Sequence, residues 1–247
     1  MIRSLIDPLL MPRTLTPELM DDPAAPRGEL DTALRFIRGV NARLGGSAAL
    51  VNHLRRWSAR WPKDRPVTLL DIGTGSADIP LVAVRWARNA GFDLRVTAVD
   101  RHETTLDLAR AHVADEPAIE LVRADALSLT DRYEPRSFDY THAGMFLHHL
   151  PDVEVLTALR IMDRLARAGI IWNDLVRSRI ASVAIRLLTT GQPEMVKHDA
   201  RVSVRAGFTP AEVRDTARRL DLTYCRARRG LFTQRFTLAG EKPGAWA

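Results

Sequence analysis

The stretch that most constrains this chain runs Pro66-Val-Thr-Leu-Leu-Asp-Ile-Gly-Thr-Gly-Ser-Ala-Asp-Ile-Pro80. It opens on an apolar, β-forming run, passes Asp71 into a Gly-x-Gly-x-Ala turn, and continues with Ile79, Val82 and Trp86 at helical spacing. Strand, glycine turn and helix in that order form the nucleotide-binding corner of a doubly wound α/β sheet. Gly73 and Gly75 supply the sharp turn and let backbone N–H groups approach a ligand, while Ala77 keeps the helix close to the strand. Asp71, two residues before the first glycine, would repel a dinucleotide's phosphates there. A ligand carrying an ammonium group and no phosphate suits it.

The Asp-x-Gly-x-Gly pattern of Asp71, Gly73 and Gly75 resembles class I S-adenosylmethionine-dependent methyltransferases, and the resemblance extends over roughly residues 67–240. It implies S-adenosyl-L-methionine as cofactor and S-adenosyl-L-homocysteine as product. The alternation along the chain is compatible with that fold. Leu94 to Val99 reads as a second strand closed by Asp100, and Ile119 to Ala124 as a third closed by Asp125. Phe138 to Ala143 reads as a fourth, and Ile170 to Trp172 as a fifth after a helix ending at Gly169. Helices carrying Leu106, Ala109 and Val113, and Leu156, Leu159 and Met162, lie between them. Such alternation calls for parallel strands with right-handed crossovers. Two further strands, Leu222 to Ala227 and Leu231 to Leu238, meet at Arg229-Gly230 and must be antiparallel. The expected fold is therefore a seven-stranded, mostly parallel doubly wound sheet with a C-terminal antiparallel hairpin. A six-stranded dinucleotide fold would be parallel to its edge.

Residues 1–61 read as an N-terminal arm and helical cap, and 62–247 as the catalytic core with a lid-like insertion around 175–208. The arm, Met1 to Arg27, holds five prolines and no period; Met11 is a candidate alternative start. One helix carries Leu30, Leu34, Ile37 and Leu44, breaks at Gly45-Gly46, and gives way to a second with Ser47 as N-cap and Leu50, Leu54, Trp57 and Trp61 as its stripe. The two helices either cover the substrate or pad the sheet. Leu175 to Leu188 is helical, with Ile180, Val183, Ala184 and Leu187 on one face; Thr189 to Gly207 reads as polar and irregular; and Thr209-Pro-Ala-Glu212 is a capping box.

Asp100 stands where one carboxylate can accept from both hydroxyls of a ribose, with Arg101 beside the place of an adenine. By resemblance, Asp125 and the Ala126 N–H address the adenine, Asp78 the methionine part, and Thr74 and Gly144 border the cofactor. The Leu147-His-His-Leu150 segment after strand four looks like its counterpart in small-molecule methyltransferases. His148 or His149 is the candidate base for a hydroxyl acceptor, while His142 reads as structural. Asn173, Arg177 and His198 are candidates to face the substrate, with 191–207 as lid. Metal-dependent catechol methyltransferases carry an Asp-Asn pair after strand five and an Asp after strand four. Here the pair is reversed as Asn173-Asp174 and His142-Ala143-Gly144 fills the other place, so no catalytic metal is expected.

The net charge of +6 and pI near 10.2 permit a nucleic-acid partner, but the arginines are scattered, and no Asn-Pro-Pro-Tyr-like segment follows strand four. An RNA methyltransferase is thus an alternative rather than the main reading, as is a carbon-methylating enzyme of a quinone-type pathway. The main reading is methylation, at oxygen, of a small hydroxylated aromatic or polyketide-like acceptor. A single cysteine, Cys225, fits a reducing, cytoplasmic compartment, and no apolar run is long enough to span a bilayer.

Overall fold

A computed structural model describes residues 11–230 and 232–246. Its centre is a seven-stranded sheet of strands β1 (Val67–Ile72), β2 (Leu94–Asp100), β3 (Ile119–Arg123), β4 (Phe138–Gly144), β5 (Ala166–Leu175), β6 (Arg226–Gly230) and β7 (Arg235–Glu241). The strand order is β3-β2-β1-β4-β5-β7-β6. Strands β1 to β5 run parallel, β7 pairs antiparallel with β5, and β6 pairs antiparallel with β7. This is the expected α/β methyltransferase architecture with its antiparallel C-terminal pair. The order reverses between β1 and β4, which opens a crevice at the carboxyl edge of the sheet.

Side chains of β1 alternate between the two faces. Leu70 and Ile72 enter one hydrophobic core, with α5 (Asp152–Leu165) and α8 (Pro210–Arg219) on that side. Val67 and Leu69 enter the other, beneath α2 (Gly46–Trp57) and α3 (Asp78–Asn89). The helix α4 (Glu103–His112) links β2 to β3, and α6 (Arg179–Leu188) and α7 (Glu194–Ala206) follow β5.

The two helices before β1 have different duties. α2 pads the sheet: Trp57 stacks on Tyr140 with ring centroids 5.2 Å apart, and Trp61 Nε1 donates to the Tyr140 hydroxyl at 2.9 Å. α1 (Arg27–Arg43) instead crosses the carboxyl edge. It meets α7 in a third small cluster of Ala33, Phe36, Met195 and Val196 with Met20 and Ala25.

Several boundaries depart from the sequence reading. Gly45, at φ +82°, occupies the N-cap of α2, so Ser47 lies inside the helix and makes no cap. Trp61 falls beyond a short 3-10 turn, yet is buried. α5 ends at Leu165 rather than Gly169, and β5 starts at Ala166. Gly169 is a strand residue because β7 passes so close that a Cβ there would lie 2.3 Å from the Gly240 carbonyl oxygen. Val82 is exposed on α3, and the stripe of Ile180, Val183 and Leu187 on α6 faces outward. The 189–207 stretch, expected to be irregular, contains α7. The hairpin turn lies after Gly230; Leu231 is outside the described residues, as are residues 1–10, which precede the candidate alternative start at Met11.

Candidate functional site

A cavity of about 470 Å³ occupies the crevice, roofed by α1, α7 and the segment before α1. Its volume lies within the range of about 300–1,000 Å³ common to ligand pockets. The strand ends build one half. β1 delivers Asp71 and the turn Gly73, Thr74 and Gly75; β2 delivers Asp100 and Arg101; β3 is followed by Asp125 and Ala126; β4 ends at Gly144. Each of these residues lines the cavity, as does Asp78 in the first turn of α3.

The turn is tight. Gly73 and Gly75 have φ of +68° and +56°. A Cβ on Gly73 would also strike the Phe146 ring at 2.3 Å. Two residues with side chains share this left-handed conformation beside the cavity, Ala77 at φ +56° and Met145 at φ +57°. Such strained residues concentrate at functional sites, held there by surrounding packing. Ala77 is the N-cap of α3, and Met145 is held by its N–H donation to the Asn173 carbonyl at 2.9 Å.

Asp100 binds the turn to its own strand end: its carboxylate accepts from Gly75 N–H and His102 N–H, each at 3.0 Å. Burial raises its pKa, and the two N–H donors only partly offset that. Asp125 is exposed and caps its loop through Leu127 N–H at 2.8 Å. Asp71 is buried, 2.5 Å from His142 Nδ1 on the neighbouring strand. Asp78 accepts from Asn41 Nδ2 and Ser76 Oγ, both at 3.1 Å, and burial raises its pKa. Asn41 in turn accepts from Arg235 Nη2 at 3.0 Å. Arg235 is buried on β7, its Nη1 has no partner among the described residues, and burial lowers its pKa to about 10 against the pull of Asp174 and Asp78. A half-buried carboxylate and a buried guanidinium are thus bridged by Asn41 at one end of the cavity.

The other half is centred on the His148-His149 turn after β4. Asp174, at the end of β5, lies 2.7 Å from His148 Nδ1 and also accepts from the His148, Leu175 and Trp172 N–H groups. Asp21 lies 2.8 Å from His149 Nδ1. Between the two imidazoles sits Glu18, buried, with its Oε1 3.5 Å from His148 Nε2 and 3.8 Å from His149 Nε2. Burial opposes charge on His148, but Asp174 and Glu18 outweigh it and raise its pKa to about 10. His149 is raised in the same way, chiefly by Glu18, and the Glu18 and Asp21 carboxyls are lowered by the histidines against the effect of burial.

The segment before α1 reaches this place through specific anchors. Asp199 on α7 accepts from Leu19 N–H at 2.7 Å and Met20 N–H at 3.0 Å, and Ser203 Oγ donates to the Glu18 carboxylate. Arg13 donates to the His148, Leu150 and Ala206 carbonyls, with its guanidinium 4.4 Å above the Phe208 ring.

Asn173, Arg177 and His198 are not among the residues lining this cavity. Arg177 is buried and spent on the Met11 and Gly207 carbonyls and the Glu212 carboxylate. His198 stands 2.9 Å from Asp199. Asn173 is wholly buried, with both side-chain polar atoms unpartnered. Cys225 is buried away from the cavity, and burial pushes its thiol up to about 12. Sequence reasoning missed Glu18, Asp21, Asn41, Asp199 and Arg235. Of these, only Arg235 left a local signal, a charge directly before the β-forming run Phe236 to Ala239.

Residues 69–169 match the family model described as a methyltransferase domain. No curated protein sequence matches the chain. Among solved structures, the chain resembles the carbon-methyltransferase domain of the citrinin polyketide synthase at 12% identity and TM-score 0.58, covering 76% of this chain and 49% of that one, about half its length. It resembles the plantazolicin methyltransferase BpumL, bound to S-adenosylhomocysteine, at 10% identity and TM-score 0.62, covering 91% and 99% of the two chains. A third likeness is to a putative O-methyltransferase from Nostoc punctiforme, at 16% identity and TM-score 0.62, covering 94% and 64%. In all, 657 solved chains match, and a likeness so widely shared identifies a fold rather than an acceptor.

Proposed function

We propose that this class I S-adenosylmethionine-dependent methyltransferase methylates a small hydroxylated aromatic or polyketide-like molecule, at oxygen. The observation that carries the reading is the cavity itself, which runs from the glycine turn to the Glu18-His148-His149 cluster under a roof of α1 and α7. A roofed pocket of this size suits a small acceptor better than a nucleic acid.

The cofactor's zwitterionic end finds a partner for each charge in this chain. Asp71 and Asp78 suit an ammonium, and the spare Nη1 of Arg235 suits a carboxylate. Asp100 suits the ribose and Ala126 N–H the adenine, as the resemblance implies. When bound, the cofactor supplies a methyl group on a sulfonium whose leaving group is neutral. The protein's work is then alignment of acceptor and methyl, together with removal of the acceptor's proton. Phe146, whose ring lies over Gly73 and stacks on His149 with centroids 6.3 Å apart, links the two halves, so an acceptor held at the histidines would lie next to the cofactor's reactive end.

The test is methyl transfer to a panel of phenols of graded pKa and enolisable carbon acids, with products located by mass spectrometry and NMR. We expect O-methylated phenols, with turnover rising as pH approaches the raised pKa of about 10 at which His148 can accept a proton, and with dependence on His148 weakening as the acceptor becomes more acidic. Exclusive C-methylation would move the chain to a carbon-methylating class. Transfer to RNA alone would overturn the small-molecule reading.

A further inference from the structure

Glu18, His148 and His149 each present a ligand-type atom to one point, all within 4.8 Å of one another. We propose that they hold a divalent transition-metal ion of the zinc or iron(II) kind at the acceptor end of the cavity. The site stands on this geometry alone; its role in activating an acceptor rests on the methyl-transfer reading above.

Three features distinguish the cluster from an ordinary buried ion network. First, each histidine has its Nδ1 anchored on a separate carboxylate, His148 on Asp174 at 2.7 Å and His149 on Asp21 at 2.8 Å. That turns Nε2 of both rings toward Glu18, as in metal sites where an outer carboxylate orients the ligating imidazole, and a bound ion would take the place of the Nε2 proton. Second, His148 Nε2 is fully buried and has no hydrogen-bond partner among the described residues, an unusual omission for a polar atom so enclosed. Third, the spacing fits an ion better than it fits hydrogen bonds. A tetrahedral ion with ligands at about 2.1 Å sets them about 3.4 Å apart. The Glu18 Oε1 contacts, 3.5 and 3.8 Å, are long for hydrogen bonds and near that separation.

Two imidazoles and one carboxylate select zinc or iron(II) over magnesium or calcium, and leave one or more positions open. The open side faces the cavity, since all three residues line it. An acceptor hydroxyl bound there ionises more readily. Its proton passes to solvent, its oxygen lone pair forms the O–CH3 bond, and the S–CH3 bonding pair returns to sulfur to give the neutral thioether. The histidines then act as ligands, and the proton needs no protein base. The sequence argued against a metal because the catechol-type Asp/Asp/Asn set is absent; this donor set is different, and Glu18 comes from the segment before α1.

The test uses the full chain, stripped with a chelator, titrated with Zn2+ by calorimetry and with Co2+ by visible absorption, alongside S-adenosylhomocysteine titration and thermal melting. We expect one ion per chain with Co2+ d–d bands. Glu18→Gln and His149→Gln should each weaken the ion by more than about 100-fold, and Asp21→Asn by about 10–100-fold, with S-adenosylhomocysteine affinity unchanged. Should a ligand variant fail to fold, Asp21→Asn, whose side chain is one-third exposed, carries the same comparison. A folded, cofactor-binding wild type that takes up neither ion overturns the site, as does uptake insensitive to all three substitutions. Ion uptake without S-adenosylhomocysteine binding leaves the site standing and refutes the methyltransferase reading instead.

Discussion

The two halves of the cavity are built on different principles. The glycine-turn half is assembled from consecutive strand ends, Asp71 to Gly75, Asp100 and Arg101, and Asp125 and Ala126, each placed by the parallel sheet. The histidine half joins residues that the sheet does not bring together by itself: Glu18 and Asp21 before α1, His148 and His149 after β4, Asp174 on β5, and Asp199 and Ser203 on α7. A half made by topology follows from the strand order of the fold. A half made by long-range docking depends on this chain's own side chains.

The largest effect is expected where the two halves are separated by a single side chain. His148→Gln should lower turnover by about 10²–10⁴-fold while leaving S-adenosylhomocysteine affinity unchanged. Equal losses in turnover and cofactor affinity, measured by steady-state kinetics and calorimetry, would make the cavity one undivided site. Arg235→Gln tests the opposite end. Charge-assisted hydrogen bonds contribute about 1.5–3 kcal/mol, so the variant should weaken S-adenosylhomocysteine by about 10–100-fold. The decarboxylated analogue, which keeps the ammonium but lacks the carboxylate, should bind both forms alike. A Tm change with equal loss for both ligands would reduce Arg235 to a packing role.

The smallest effect lies at the opposite edge of the sheet, where Asp139 does not line the cavity. Asp139 at the start of β4 is ion-paired with Arg65 at 2.8 Å and with Arg167 at 2.5 Å. Burial raises its pKa, but the Arg65, Thr68 N–H and Arg167 contacts outweigh that and hold it below the ordinary carboxylate value of 3.8. A depressed folded-state pKa contributes stability that is fully present above 3.8 and is lost as pH falls through the folded value. Thermal melts should therefore show wild type losing more stability than Asp139→Asn below about pH 4, at unchanged cofactor affinity.

The same division decides what was legible in the sequence. Asp71, the glycines, Asp100 and Asp125 sit in or just after β-rich runs, so their neighbours in sequence announce them. His148 and His149 were visible, but Glu18 was not, because the segment before α1 has no period and its partners lie more than a hundred residues away. α7 was hidden for a related reason. Its buried face includes Asp199 and Ser203, polar because they hold Leu19, Met20 and Glu18, and these interrupt the apolar period that marks a helix. Gly169 misled in the other direction, since a glycine that ends a helix and one that admits a neighbouring backbone look alike until the pairing with β7 is known.

The central claim is that the strand-end half binds S-adenosylmethionine through Asp100 and its neighbours. Titration calorimetry of S-adenosylhomocysteine into wild type and Asp100→Ala is the most direct measurement of it. The account predicts one site per chain in wild type and a loss of about 2–4 kcal/mol in the variant, from two charge-assisted hydrogen bonds partly replaced by water. A folded Asp100→Ala that binds with an unchanged dissociation constant, or a wild type that binds nothing, would contradict it.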